Sequence, residues 1–425
     1  MAQIVITAIG SAGDVHPFLA IGRTLVQRGH RVVFCTHPPF APLVEAEGFA
    51  FVPIGTAQEY EEALANPALW NPRTSFRVLW KVIAPSIRPH VDALSSLLTD
   101  DTVMLGSLWA FAARIVQEVH GTPYVSVQVS PSTLLSAHSP PTHKRFTVPM
   151  WLPLQVRIAS MRLIEKAVLD PALGPALNGV RTEIGLAPAR RILGKWLHSP
   201  DGVLCLFPDW FAKPQPDWPA NRFLCGFPLP VESTAAPLDD DLADFLSSGA
   251  PPVVFTAGST LIDEAAYFGA VEETLRLTGA RAIVLTRARP ASLAASPGVR
   301  IRPFVPMHTL LPRCAAIVHH GGIGTAALAF ASGIPQVVTP FAHDQFDNAA
   351  RIEKTGCGVR IDGPANGRAI ATALRHVTRD TGVAAQCVLT RQHIVAEPNA
   401  CVAASQYIER FVPSVPAVAE LESSA

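Results

Sequence analysis

The chain has 425 residues, 34 basic and 34 acidic side chains, and 49% hydrophobic residues. That length exceeds what one hydrophobic core organises and suits two domains of roughly 200 residues each. Charges that cancel give no general attraction to nucleic acid or to an anionic membrane surface, so the expected partner is a small molecule.

The N-terminal MAQIVITAIGSAGD lacks the charged region and cleavage site of a signal peptide. No stretch reaches the roughly 18 uninterrupted apolar residues that a membrane span needs, and a cytoplasmic protein is expected. The seven cysteines are scattered without a C-x-x-C pair and read as buried free thiols of a reducing compartment.

Apolar runs of strand length alternate with helical patterns, the signature of a parallel sheet wrapped by helices. Gln3 to Ala8 reads as a first strand, Gly10 to Asp14 as a loop, and Pro17 as the opening of a helix that Gly29 ends. Strands follow at Arg31 to Thr36, Phe49 to Ile54, Thr102 to Leu108 and Tyr124 to Val129, and this half behaves as one doubly wound unit to about Gly202 to Phe207. Between Ser136 and Leu197 prolines cluster and two amphipathic stretches follow, an insertion expected to line a pocket or cover an edge. Phe207 to Pro237, rich in proline and tryptophan, suits an extended linker. A second alternation runs through Pro252 to Thr256, Ala282 to Thr286, Val299 to Phe304, Ala315 to His319 and Gln336 to Thr339. The expected organisation is a doubly wound α/β domain over 1–215, a linker over 216–237, a second such domain over 238–400, and a C-terminal helix with a disordered tail over 401–425.

VITAIGSAGD at Val5 and VFTAGSTLID at Val254 place Gly-Ser at the same point of the two halves, where a first strand turns into a helix and doubly wound sheets bind ligands. Facing sheets would bring both loops to one cleft. In the second half, VHHGGIGT (Val318 to Thr325) joins an apolar strand to a small-residue helix. Such a helix start exposes free N–H groups and the positive end of the helix dipole, and Gly321, Gly322 and Gly324 let an anion approach the backbone. With Thr325 and one histidine as further donors, the turn can hold a diphosphate. Adjacent histidines on extended chain point to opposite sides, which argues against a shared metal ion, and no metal is expected. Gly322, Gly324 and Ala327 also match G-x-G-x-x-A, with Asp344 20 residues beyond Gly324, so a nicotinamide enzyme is a rival. Against it, Pro340 stops the preceding strand and Asp344 lies in a loop. His343, Asp344 and Gln345 combine a carboxylate and an amide suited to sugar hydroxyls, whereas capping a helix is the simpler role for Asp347.

The stretch from Phe304 to Val359 resembles the donor-binding signature of the family 1 nucleotide-sugar glycosyltransferases: a strand, a His-x-Gly turn, a small-residue helix, Gly-x-Pro, then Pro, Asp-Gln and Asn-Ala in order. The resemblance implies a GT-B fold of two facing Rossmann-like domains, with no cofactor beyond a nucleotide-sugar co-substrate. It places the diphosphate on His320 and the backbone at Gly322, Gly324 and Thr325, the sugar on Asp344 and Gln345, the base on the backbone near Phe304 and Val305, and phosphate contact on Ser259. In the first half it implies Asp14 of GSAGD as catalytic base, with His16 in reserve. An aspartate at its ordinary pKa of about 3.9 is a weak base at neutral pH. Motifs at Asn71, Gly106, Gln128 and Phe207 further resemble the rhamnosyltransferases of rhamnolipid synthesis. That likeness implies inverting transfer of L-rhamnose from dTDP-L-rhamnose to a 3-(3-hydroxyalkanoyloxy)alkanoate, in a bacterium. Polyketide, sterol or carotenoid acceptors and other donors are the broader alternative. Ser11, Trp109 and Gln128 are expected at the acceptor, and Trp70, Phe76, Trp80, Phe111, Leu134, Leu135 and Trp151 could line an apolar groove. The likeness also raises association with the acceptor-synthesising chain or with the inner membrane.

Overall fold

A computed structural model describes residues 1–71, 73–144, 147–229, 238–258, 264–363 and 366–413. The first sheet has seven strands: β1 (Gln3–Thr7), β2 (Arg31–Thr36), β3 (Ala50–Pro53), β4 (Thr102–Gly106), β5 (Tyr124–Gln128), β6 (Gly202–Cys205) and β7 (Arg222–Leu224). The second has six: β8 (Val253–Thr256), β9 (Ala282–Leu285), β10 (Val299–Arg302), β11 (Ala316–His319), β12 (Gln336–Val338) and β13 (Gly358–Arg360). Their orders are β3-β2-β1-β4-β5-β6-β7 and β10-β9-β8-β11-β12-β13, with parallel pairing throughout. Central strands such as β1, β4 and β8 are buried at every position, which is why they read as unbroken apolar runs. In each sheet the direction of winding reverses beside the first strand, between β1 and β4 and between β8 and β11. Loops leaving those strands border the crevice in which such sheets bind ligands.

Three expectations are corrected. The first helix is Ala12–Gln27, so Pro17 lies inside it rather than opening it; a capping box formed by Ser11 and Asp14 starts the helix earlier. Residues 222–224, assigned to a linker, form the edge strand β7 beside β6. The stretch from Phe207 is not extended chain either. Phe207, Phe211, Trp218 and Phe227 share one core with Ile323, Ala326 and Phe330 of the second domain, and Trp210 meets Phe330 edge-on at 5.3 Å. This aromatic packing fastens the two domains beside the Ile323–Ser332 helix.

The C-terminal helix Ala400–Glu409 returns to the first domain. Its Cys401, Ala404 and Ile408 join the core formed by Ile4, Phe18 and Ile21, Tyr407 stacks on Phe223 at 4.8 Å, and Glu409 pairs with Arg28 at 2.6 Å. It is therefore an integral part of the first domain's packing. Residues 414–425, expected to be disordered, lie outside the described residues. All seven cysteines are free and buried. No helix among the described residues is long and apolar enough to cross a membrane.

Candidate active site

The turn after β1 leads into the Ala12–Gln27 helix, whose first turn carries Asp14. Gly10 adopts φ +140, and a Cβ there would lie 2.4 Å from Asp14 Oδ2, so glycine is needed both for the turn and for the space the carboxylate fills. Ser11 donates to Oδ2 twice, from its backbone N–H at 2.8 Å and its hydroxyl at 3.0 Å. From the neighbouring strand end, Ser107 accepts the Ile9 N–H at 3.0 Å and holds the loop against β4. Burial, opposed by the Ser11 hydrogen bonds and reinforced by the charge of Asp344, pushes the Asp14 carboxyl up to about 6. An Asp that retains its proton to that pH is a far better base at neutrality than an ordinary one. Tyr60, held protonated to about 12 by burial first and then by Asp14's charge, stands nearby.

On the facing domain, the VHHGGIGT turn separates its two histidines by role. His319 is buried; its Nε2 faces Gln336 Oε1 at 3.0 Å and its Nδ1 accepts the Gly321 N–H at 3.2 Å, which supports the turn. His320 lies between two glycine backbones. A Cβ on Gly258 or on Gly322 would come within 2.6 Å of its ring. Burial pushes the His320 imidazole down to about 4, and its Nδ1 has no partner. A neutral imidazole with a spare nitrogen beside the unblocked N-terminus of the Ile323–Ser332 helix is a donor set for a bridging diphosphate.

Asp344 occupies the N-cap position of the Gln345–Thr355 helix but makes no capping hydrogen bond. Its Oδ2 instead accepts from Asn348 Nδ2 at 2.9 Å, and burial raises its carboxyl against the pull of that bond and of His343 and Ser130. Asn348 is fully buried and is the hub that the sequence reading missed. Besides Asp344 it donates to the Gly321 carbonyl at 3.0 Å and accepts from the Ser130 hydroxyl at 3.1 Å. One side chain thus joins the VHHGGIGT turn, the Asp344 carboxylate and the first domain. Its sequence signal is the Asn-Ala element of the donor signature, Asn348 and Ala349. Asp347 makes no capping bond, contrary to expectation: it accepts the Thr142 N–H at 2.9 Å from the first domain and pairs with Arg351 at 2.7 Å, which commits its carboxylate to contacts that only folding supplies.

The remaining candidates divide. Gln345 is buried, and its Oε1 is used in accepting the Phe341 and Ala342 N–H groups, both at 3.0 Å, which leaves its amide NH2 for a sugar. Phe304 is 78% exposed at the end of β10, whereas Val305 beside it is buried in the core and can offer a ligand only backbone. Gly324 is exposed and Thr325 half-buried at the helix start. His16 is exposed on the same helix as Asp14, and Trp109 is half-buried between Phe76 and Phe111. Gln128 is fully buried against His198, so its side chain has no surface to show an acceptor. Its strand β5 is covered by neighbours on both faces, a property no local pattern reveals. Trp80, Phe111 and Leu134 are likewise core residues, and Trp151 is open to solvent. Trp70 instead crosses the cleft to His343 at 5.5 Å and Phe341 at 6.3 Å. Ser259 lies outside the described residues. Asp344, the acid required by the dinucleotide reading, sits well past the end of β12 and is bonded to Asn348.

Comparison with known proteins identifies the fold and the family. Residues 4–139 match the glycosyltransferase family 28 N-terminal domain, and residues 277–409 match the C-terminal domain of the erythromycin biosynthesis protein CIII-like family. The chain is 30% identical to glycosyltransferase GtfC of Amycolatopsis orientalis, over 89% of this chain and 91% of that one. It is 29% identical to the O-mycaminosyltylonolide 6-deoxyallosyltransferase of Streptomyces fradiae, over 96% and 98%. Among solved structures, the kitacinnamycin glycosyltransferase superposes with a TM-score of 0.74 at 22% identity, covering 97% of this chain and 99% of that one. VinC, solved in complex with dTDP, superposes with a TM-score of 0.63 at 19% identity, covering 96% and 99%. The chain therefore belongs to the nucleotide-sugar glycosyltransferases of GT-B fold and is similar to enzymes of antibiotic and macrolide glycosylation.

Proposed function

We propose that this enzyme transfers a 6-deoxyhexose, with inversion and without a metal ion, from a dTDP-activated donor to a hydroxyl of an apolar acceptor. The observation that carries the reading is the carboxylate pair across the cleft, Asp14 raised to about 6 by burial and by the charge of Asp344 on the opposite domain. Asp14 takes the acceptor's proton as the new glycosidic bond forms. Asp344 and the Gln345 amide hold the sugar hydroxyls, and Phe304 stacks on the base. The leaving diphosphate collects charge at His320 and the N–H groups of Gly322, Gly324 and Thr325, where the helix dipole stabilises it.

The 6-deoxyallosyltransferase relative and the dTDP complex of VinC support a dTDP-deoxysugar donor. In its sharpest form the reaction is transfer of L-rhamnose from dTDP-L-rhamnose to a 3-(3-hydroxyalkanoyloxy)alkanoate, which the first-half motifs support. The broader form, with a polyketide or other natural-product acceptor, has the stronger support from the curated relatives. Mass spectrometry of products from dTDP-L-rhamnose and UDP-glucose, each offered with hydroxy-lipids and macrolide aglycones, separates the two. Glycosylated macrolide without glycosylated lipid removes the sharper form; no product with any pair, together with stabilisation by NADH, removes both.

A lipid acceptor would be met at a bilayer. Met150, Trp151, Val156, Leu163 and Val168 are exposed beside Arg162 and Lys166, and apolar side chains among basic ones suit an anionic interface. This supports peripheral contact with the inner membrane, or with the chain that makes the lipid. Co-sedimentation with anionic vesicles, lost in Leu163→Glu/Val168→Glu, tests it.

A further inference from the structure

Beside the catalytic loop, a cavity of about 510 Å³ opens at the carboxyl ends of β1 and β3, between the Ala57–Ala65 and Ser75–Leu97 helices. That volume lies within the range of small-molecule sites. Ile9, the last residue before Gly10, forms part of its wall, and so does Tyr60, the ring within electrostatic reach of Asp14. The cavity therefore adjoins the catalytic carboxylate. Ile54, Val82 and Ile83 make much of the rest apolar.

One wall residue is a deeply buried polar group without a partner. His90 is 95% buried, at 5% exposure, and its Nε2 has no hydrogen-bond partner. Burial first, and the proximity of His37, push its imidazole down to about 4, so it is uncharged at neutral pH. An unpaired buried nitrogen costs stability unless something binds it. A neutral imidazole nitrogen matches a hydroxyl or carbonyl oxygen. The charged groups on the wall are Glu59 and Glu62 against Lys81, a net negative set that disfavours an anion.

We propose that this cavity receives the uncharged apolar arm of the acceptor and that His90 Nε2 hydrogen-bonds a neutral oxygen on that arm. The assignment rests on the glycosyltransferase reading of Asp14 and narrows its acceptor class: an anionic group of the substrate must lie outside the chamber.

The test is calorimetric titration of the full chain, saturated with dTDP, by 1-hexanol to 1-decanol and by alkanoates of equal length. Alkanol affinity should rise about fourfold per methylene until the cavity fills, with the matched alkanoates at least about tenfold weaker. His90→Phe keeps the ring and removes the nitrogen; alkanol affinity should fall roughly three- to tenfold with no loss of thermal stability. Ala63→Trp, which fills the chamber, should abolish the chain-length dependence. Alkanol binding unchanged in His90→Phe, or alkanoates binding as tightly as alkanols, overturns the proposal. Affinity for dTDP should be the same in wild type and both variants. A wild type that ignores dTDP sinks the donor reading alone, because alkanol titration without nucleotide still reports on the cavity.

Discussion

Replacing Asp14 by Asn should make the protein more stable and nearly inactive. The carboxyl's pKa rises from 3.8 to about 6, so holding it ionised at neutral pH costs up to about 3 kcal/mol at 1.36 kcal/mol per unit. Solvent at the half-buried carboxylate screens part of this, leaving about 1–2 kcal/mol. Asn keeps an acceptor for the Ser11 N–H and carries no charge. In a domain of this size each kcal/mol moves the melting temperature roughly 2–4 °C, so the gain at pH 8 should be roughly 2–8 °C. The sign follows from proton linkage. Between pH 3.8 and about 6 the folded wild type binds more protons than the unfolded chain, so its stability falls as pH rises through that window. The two proteins should melt together below pH 3.8, diverge up to about 6, and remain a constant distance apart above it. Turnover should drop about 10²- to 10⁴-fold with dTDP affinity retained, and wild-type kcat/KM should show an acid limb near pH 6. Calorimetric scans across pH with a product assay decide the matter. A variant that is less stable at pH 8, or that still turns over, would refute both the buried-charge account and the role of base.

Removing the opposing charge in Asp344→Asn should shift the acid limb of kcat/KM to lower pH, because Asp344 helps raise Asp14. The same change should weaken nucleotide-sugar binding about tenfold while leaving bare dTDP nearly unaffected; equal losses would return Asp344 to a structural role. Gly324→Ala places a methyl where nothing lies within 4 Å, so melting should be unchanged or slightly raised while dTDP affinity falls about tenfold by isothermal titration. Phe304→Ala, at a 78% exposed ring, should spare the fold and cost about 1–3 kcal/mol of nucleotide affinity through lost stacking. Asn348→Ala strands the Gly321 carbonyl and the Ser130 hydroxyl, so the urea midpoint and dTDP affinity should fall together, with about 1–3 kcal/mol lost from stability.

Local pattern determined the alternation of strands and helices, the glycine turns that follow the first strands of both halves, and the glycine turn after β11 in which His319 supports the backbone. These were legible because strand burial, helix starts and glycine turns depend on neighbours a few residues away. Only tertiary structure decided the rest. Residues 222–224 became a strand because β6 offered a free edge, and the Phe207 segment packed because Phe330 stood opposite. Gln128 was sealed off by a sheet buried on both faces. Asn348 drew its importance from three groups that are 4, 27 and 218 residues away in sequence. The Asp14 carboxyl was raised by burial and by Asp344, 330 positions along the chain. Hydrogen bonds and Coulomb forces act through space, and the distances that govern them are set by folding rather than by position in the chain.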